Sequence, residues 1–93
     1  MSTIFAIRYV YDPERSDDLA RLRPEHRTFL RTLYDDGELL ASGPLGENEA
    51  LIIMEADSAD AALGLLNPDP LHRAGIVASR SAHRWQPVIG PWA

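Results

Sequence analysis

The chain has 93 residues, and its nine Lys and Arg against fourteen Asp and Glu give a formal charge of -5, which argues against nucleic acid or an anionic lipid surface as partner. There is no cysteine, so disulfides, thiolate metal sites and cysteine nucleophiles are excluded and packing alone holds the fold. The length predicts a single domain over residues 1–93, small enough to leave much of its surface exposed unless it associates. No apolar run approaches the roughly 18 residues of a membrane span, and no basic region precedes the N-terminal apolar stretch. The expectation is a soluble, cytoplasmic protein with no membrane partner.

In chain order, Thr3 to Tyr11 (TIFAIRYVY) is rich in β-branched and aromatic residues and is bounded by Asp12-Pro13, which predicts a strand. Ile4, Ala6 and Val10 point one way and Phe5, Ile7, Tyr9 and Tyr11 the other. Both faces are largely apolar, as suits the middle of a sheet. Asp12 to Leu22 is polar and proline-led, and reads as a loop with some helix. Pro24 suits a first helical turn, where its missing N–H has no intrahelical partner. From there His26, Phe29, Leu30 and Leu33 recur at the spacing of one helix face, with Arg27, Arg31, Asp35 and Asp36 off it. Gly37 is a C-terminal stop. Glu38 to Ser42 is a short strand ended by Gly43-Pro44, and Leu45 to Asn48 is a hairpin turn.

Ala50 to Ala56 (ALIIMEA) is a second strand apolar on both faces. Ser58 caps a second helix that carries Ala61, Ala62, Leu63, Leu65 and Leu66 and stops before Asn67-Pro68. Asn67 to Gly75 (NPDPLHRAG) is rich in turn residues, and Ile76 to Gln86 is a last strand polar enough for a sheet edge. This order, βαββαβ, is that of an α+β, ferredoxin-like fold. Right-handed crossovers place both helices on one face of a four-stranded antiparallel sheet whose inner strands are the first and third. These are the two most apolar strands, and helices can cover only one of their faces. A second copy of the chain, forming a homodimer through the open sheet face, is the simplest cover for the other.

The segments RPEHRTFLRTLYDDGELLASGP and DPLHRAG resemble the YciI-like (YCII-related) family. Its pattern is Arg-Pro-x-His opening a helix, Gly-x-Leu-Leu-x-x-Gly-Pro on the second strand and Asp-Pro-x-x-x-x-Gly after the second helix. The resemblance spans nearly the whole chain, with the motifs in the family's order. It implies a dimeric α/β barrel of ferredoxin-like subunits and a candidate active site that pairs the helix histidine with the aspartate of Asp-Pro, here His26 and Asp69. Ser42 stands where members place a small or hydroxyl residue near the site, a position for substrate binding. One activity assigned within the family is elimination of chloride from a chlorinated hydroxyhydroquinone. The chain departs from the pattern in a shorter loop between the second and third strands, and in a more polar fourth strand with Arg80, His83 and Arg84.

The chemistry follows from the side chains. Imidazole exchanges a proton near neutral pH, and a carboxylate bonded to one ring nitrogen sets the tautomer and raises basicity at the other. Such a dyad suits a cofactor-independent lyase or isomerase acting on a small aromatic or organic acid. The bland alternatives are a core histidine bonded to backbone, a turn-forming or capping Asp69, and a Ser42 that is merely small. On those readings the chain is a non-catalytic dimeric module that binds a small ligand or a protein partner. His72 reads as solvated, and Asp35-Asp36 as a solvated helix surface. The histidines show no metal-binding spacing, so no metal or cofactor is expected. No glycine-rich phosphate loop, nucleophile elbow or dinucleotide fingerprint is present.

Overall fold

The computed structural model describes residues 3–93. Four strands, β1 (Thr3–Tyr11), β2 (Leu39–Leu45), β3 (Glu49–Ala56) and β4 (Val77–Arg84), form one antiparallel sheet in the order β2-β3-β1-β4. Three helices, α1 (Ser16–Asp35), α2 (Ala59–Leu66) and the short α3 (Pro70–Arg73), lie between strands. The sheet is the expected ferredoxin-like one, with the two most apolar strands inside. Phe5, Ile7, Tyr9 and Tyr11 of β1 and Ile52 and Met54 of β3 are buried against Leu19, Leu30 and Leu33 of α1 and Ala62 and Leu66 of α2. Ile4, Ala6, Arg8 and Val10 alternate onto the opposite face, where Leu51 and Leu45 are 36% and 43% exposed.

Several boundaries differ from the expectation. The segment before Pro24, expected as a loop with some helix, is continuous helix from Ser16 onward, so Pro24 sits inside α1 and not in its first turn. Asp12 accepts a hydrogen bond from the Glu14 N–H and caps a single 3-10 turn, Pro13–Arg15, that runs straight into the helix. Arg15 and Arg21 both bond the Asp18 carboxylate, tying the first turns together. A proline is tolerated here because the carbonyl it leaves unpaired belongs to Ala20, which is exposed to water. Leu19 and Leu22 extend the apolar stripe of His26, Leu30 and Leu33 at helical spacing, and that was the legible sign of the longer helix.

The far end of α1 follows the expectation. Gly37, at φ 84°, takes the left-handed position; its N–H donates to the Tyr34 carbonyl and that of Glu38 to the Leu33 carbonyl, the paired bonds of a glycine-terminated helix. Strand β2 does not end at Gly43-Pro44 but continues to Leu45. As an edge strand it has an unpaired side on which a missing N–H costs little. The turn-rich NPDPLHRAG segment holds α3, which starts directly after Asp69. Ser58 caps α2 as expected, accepting from the Ala61 N–H at 3.0 Å.

Candidate active site

Asp69 organises the site. It is fully buried between two prolines, and its carboxylate accepts three hydrogen bonds. The Leu71 N–H donates at 3.0 Å, which makes Asp69 the cap of α3. The Tyr9 hydroxyl donates from the central strand at 3.0 Å. His26 Nδ1 lies 2.9 and 2.8 Å from the two carboxylate oxygens. A buried carboxylate is costly unless it is paired and hydrogen-bonded, and three donors from three elements supply those bonds. Structural cap and histidine partner are therefore one residue.

An acceptor-only carboxylate at Nδ1 sets the tautomer. In the neutral ring Nδ1 then carries the proton and Nε2 the lone pair. His26 Nε2 has no hydrogen-bond partner among the described residues and is not sealed from solvent. The ring borders a cleft of about 160 Å³ together with Tyr11, Arg23, Arg27, Leu30, Ser42, Gly43, Pro44, Glu49, Ala50 and Ile52. His26 is itself only 7% exposed. The imidazole thus stands in the wall between core and cleft, with the carboxylate behind it and an accessible nitrogen in front.

Ser42 reaches this cleft because of an irregularity in β2. Leu39 pairs with Met54 but Ala41 pairs with Ile53, so the register slips by one residue at Leu40. Strict alternation would put Ser42 and Leu39 on opposite faces. The bulge puts both on the helix-covered side, opposite Ile52 and Met54. Ser42 is a bordering side chain, with no bond to His26 or Asp69.

Two tyrosines on the inner face of β1 complete the surroundings. Burial, and then the nearby charge of Asp69, push the Tyr9 phenol far above its ordinary value. The same two causes raise Tyr11 to about 12, with the Arg23 guanidinium opposing them. Both are neutral hydroxyls at physiological pH. Tyr9 was missed from sequence as a site residue. The usable sign was a tyrosine at the middle of a central strand, where the hydroxyl must find a buried partner. Arg27, placed off the buried face of its helix, nevertheless borders the cleft. His72 is half-buried where a solvated ring was expected; its Nδ1 is enclosed without a partner, and burial and the Arg80 charge lower its pKa against the opposing Asp69. Among the described residues no three His, Cys, Asp or Glu side chains gather as a metal site would require.

The profile of the YCII-related domain matches residues 3–86. The chain belongs to the YCII-related domain family. It is 30% identical to protein YciI of Escherichia coli O6:H1 over 94 aligned positions, covering 86% of this chain and 96% of that one, and equally to protein YciI of Shigella flexneri. Among solved structures it is similar to 5-chloro-2-hydroxyhydroquinone dehydrochlorinase (TftG) from Burkholderia phenoliruptrix, in complex with 2,5-dihydroxybenzoquinone. The TM-score is 0.78 at 22% identity, with 89% of this chain and 93% of that one covered. At that identity the likeness speaks for the fold. Among the described residues no helix is long and apolar enough to cross a membrane.

Proposed function

We propose that this member of the YCII-related family is a cofactor-independent enzyme that moves a proton on a small aromatic or organic acid, as a lyase or isomerase. The observation that carries this reading is the accessible Nε2 of a histidine whose other nitrogen is held by a fully buried carboxylate. His26 is the general base and then the general acid; Asp69 sets its tautomer and stabilises the imidazolium that forms. In an elimination, Nε2 takes the proton from carbon or hydroxyl, the electron pair moves into the new double bond, and the leaving group departs with its own pair. In an isomerisation, Nε2 returns the proton at a second carbon. Ser42, on the cleft wall, binds and orients the substrate. The name of the similar dehydrochlorinase supports chemistry of this class.

The functional unit in this reading is a homodimer. The sheet face away from the helices carries Leu45, Leu51 and Ile53 around an apolar depression of about 140 Å³, a surface that favours a second copy.

The test is solvent deuterium exchange and chloride release, followed by NMR, on a panel of hydroxylated and chlorinated aromatics and small carboxylic acids that includes 5-chloro-2-hydroxyhydroquinone. His26→Gln is expected to lower the rate by about 10²–10⁴-fold. Asp69→Asn is expected to lower it with a change in the His26 ring ¹⁵N shifts that marks redistribution of the tautomers. Wild-type protein that binds panel members without turning any over supports the binding module in place of the enzyme.

A further inference from the structure

In a chain with five more acidic than basic side chains, two arginines at the cleft stand without an acid. Arg23 and Arg27 both border it, one helical turn apart on α1, with His26 between them. Neither has an ion pair or hydrogen bond among the described residues; Arg31, Arg73 and Arg84 also lack one but do not border the cleft, while Arg8, Arg15, Arg21 and Arg80 are all bonded. Like charges at this spacing repel, and a chain rich in carboxylates has left them unpaired. Glu49 also borders the cleft, but it is bound to Arg8.

The opposite side of the cleft adds a neutral donor. Tyr11 is only 4% exposed, borders the cleft, and its hydroxyl has no partner among the described residues while remaining open to solvent. The Arg23 charge is close enough to act on that phenol. The Ser42 hydroxyl lies on the β2 wall. Two forked cations and two hydroxyls thus surround a space that holds one acceptor-only side chain nitrogen, His26 Nε2. A cavity of about 150 Å³ accommodates a benzene ring, and this cleft is of that order at about 160 Å³.

We infer that Arg23 and Arg27, with the Tyr11 and Ser42 hydroxyls, form an anion subsite that holds the carboxylate of a one-ring or similarly small acid beside His26. Planar guanidinium forks match a carboxylate in a way that water or a neutral amide does not. The subsite rests on the proposed proton chemistry for its purpose, and not for its existence. It selects acids over neutral ring compounds, and it places the rest of the substrate against Nε2.

The test is calorimetric titration at constant ionic strength with sodium benzoate, succinate, benzamide and inorganic phosphate, with arginine side-chain ¹⁵Nε spectra to locate the site. Benzoate or succinate is expected to bind saturably and shift Arg23 and Arg27, with benzamide weaker by at least about tenfold. Arg23→Gln and Arg27→Gln are each expected to weaken the acid by about tenfold, and Arg31→Gln, one turn further along the helix, to leave it unchanged. His26→Gln should keep acid binding within a few-fold while abolishing turnover. Arginine-dependent acid binding in a protein that turns nothing over keeps the subsite and removes the enzyme reading. The subsite is overturned if neither acid binds, if benzamide binds as well as benzoate, if Arg31→Gln weakens binding as much as the other two, or if phosphate displaces benzoate more effectively than succinate does.

Discussion

Tyr9 shows how much a single buried hydroxyl carries. It shares the Asp69 carboxylate with His26 and the Leu71 N–H, so it holds the acid in the orientation that serves the histidine. Tyr9→Phe removes one bond to a charged acceptor without leaving that acceptor bare. The expected loss is about 1.5–3 kcal/mol, seen as a lower urea midpoint at unchanged slope. Tyr11 makes a different prediction. Its phenol is raised to about 12 by burial and by Asp69, while the unfolded chain ionises near 10. Between those values the unfolded state has lost protons that the native state still holds, so the contribution is complete below pH 10 and is lost as pH rises toward 12. Tyr9, raised further from the same causes, adds to the same loss. Denaturant titrations at pH 9, 10 and 11 should show falling stability, with a shallower fall in Tyr11→Phe.

Among the elements, α1 is the one whose sequence misled. A proline with charged neighbours reads as a helix start, and the polar, proline-led stretch ahead of it reads as a loop with some helix. Helix continuity was decided by what lies around the proline: a capped turn at Asp12 feeds the helix, and Ala20 leaves its carbonyl in water. The distortion is still a cost, since Pro24 supplies no N–H. Pro24→Ala is expected to stabilise the protein by about 1–3 kcal/mol, measured by thermal unfolding with circular dichroism retained. A destabilised Pro24→Ala would mean that the proline sets a geometry the packing needs. Strand β2 carries the second such feature, the slip at Leu40 that turns Ser42 toward the cleft. A two-residue alternation gives no warning of a bulge, because the slip depends on what β3 offers across the ladder.

For the whole molecule, the open sheet face is the main unsettled surface of the isolated chain. Leu51 lies there beside Leu45 and Ile53, half-exposed and outside the main core cluster. Leu51→Lys is expected to leave the monomer folded, since its side chain projects away from the helices, and to dissociate the proposed homodimer. Sedimentation velocity with a circular dichroism control checks this. Unaltered association would move the interface elsewhere. The beginning of the C-terminal segment is held to the sheet, where the Trp85 N–H donates to the Ile4 carbonyl. Trp92 packs edge-on against Trp85 with ring centres 6.3 Å apart, while Val88 and Ile89 stand in solvent. The segment after Gln86 therefore folds back through its aromatic residues.

What the residues determined unaided was whatever depends on periodicity and local conformation. The strand and helix order, the two apolar central strands, the glycine stop at Gly37 and the Ser58 cap are all written in short windows, because the backbone has few ways to satisfy them. The pairing of His26 with Asp69 was implied only by the resemblance to the YCII-related family; nothing in local periodicity pointed to it. Only tertiary structure decided which nitrogen of His26 faces the acid, that Tyr9 is the third donor, and that Arg23, Arg27 and Tyr11 border one cleft. The first two join residues 43 and 60 positions apart and follow from the cost of burying a carboxylate, which is settled only when every element around it is in place; the third follows from how α1 packs across the sheet.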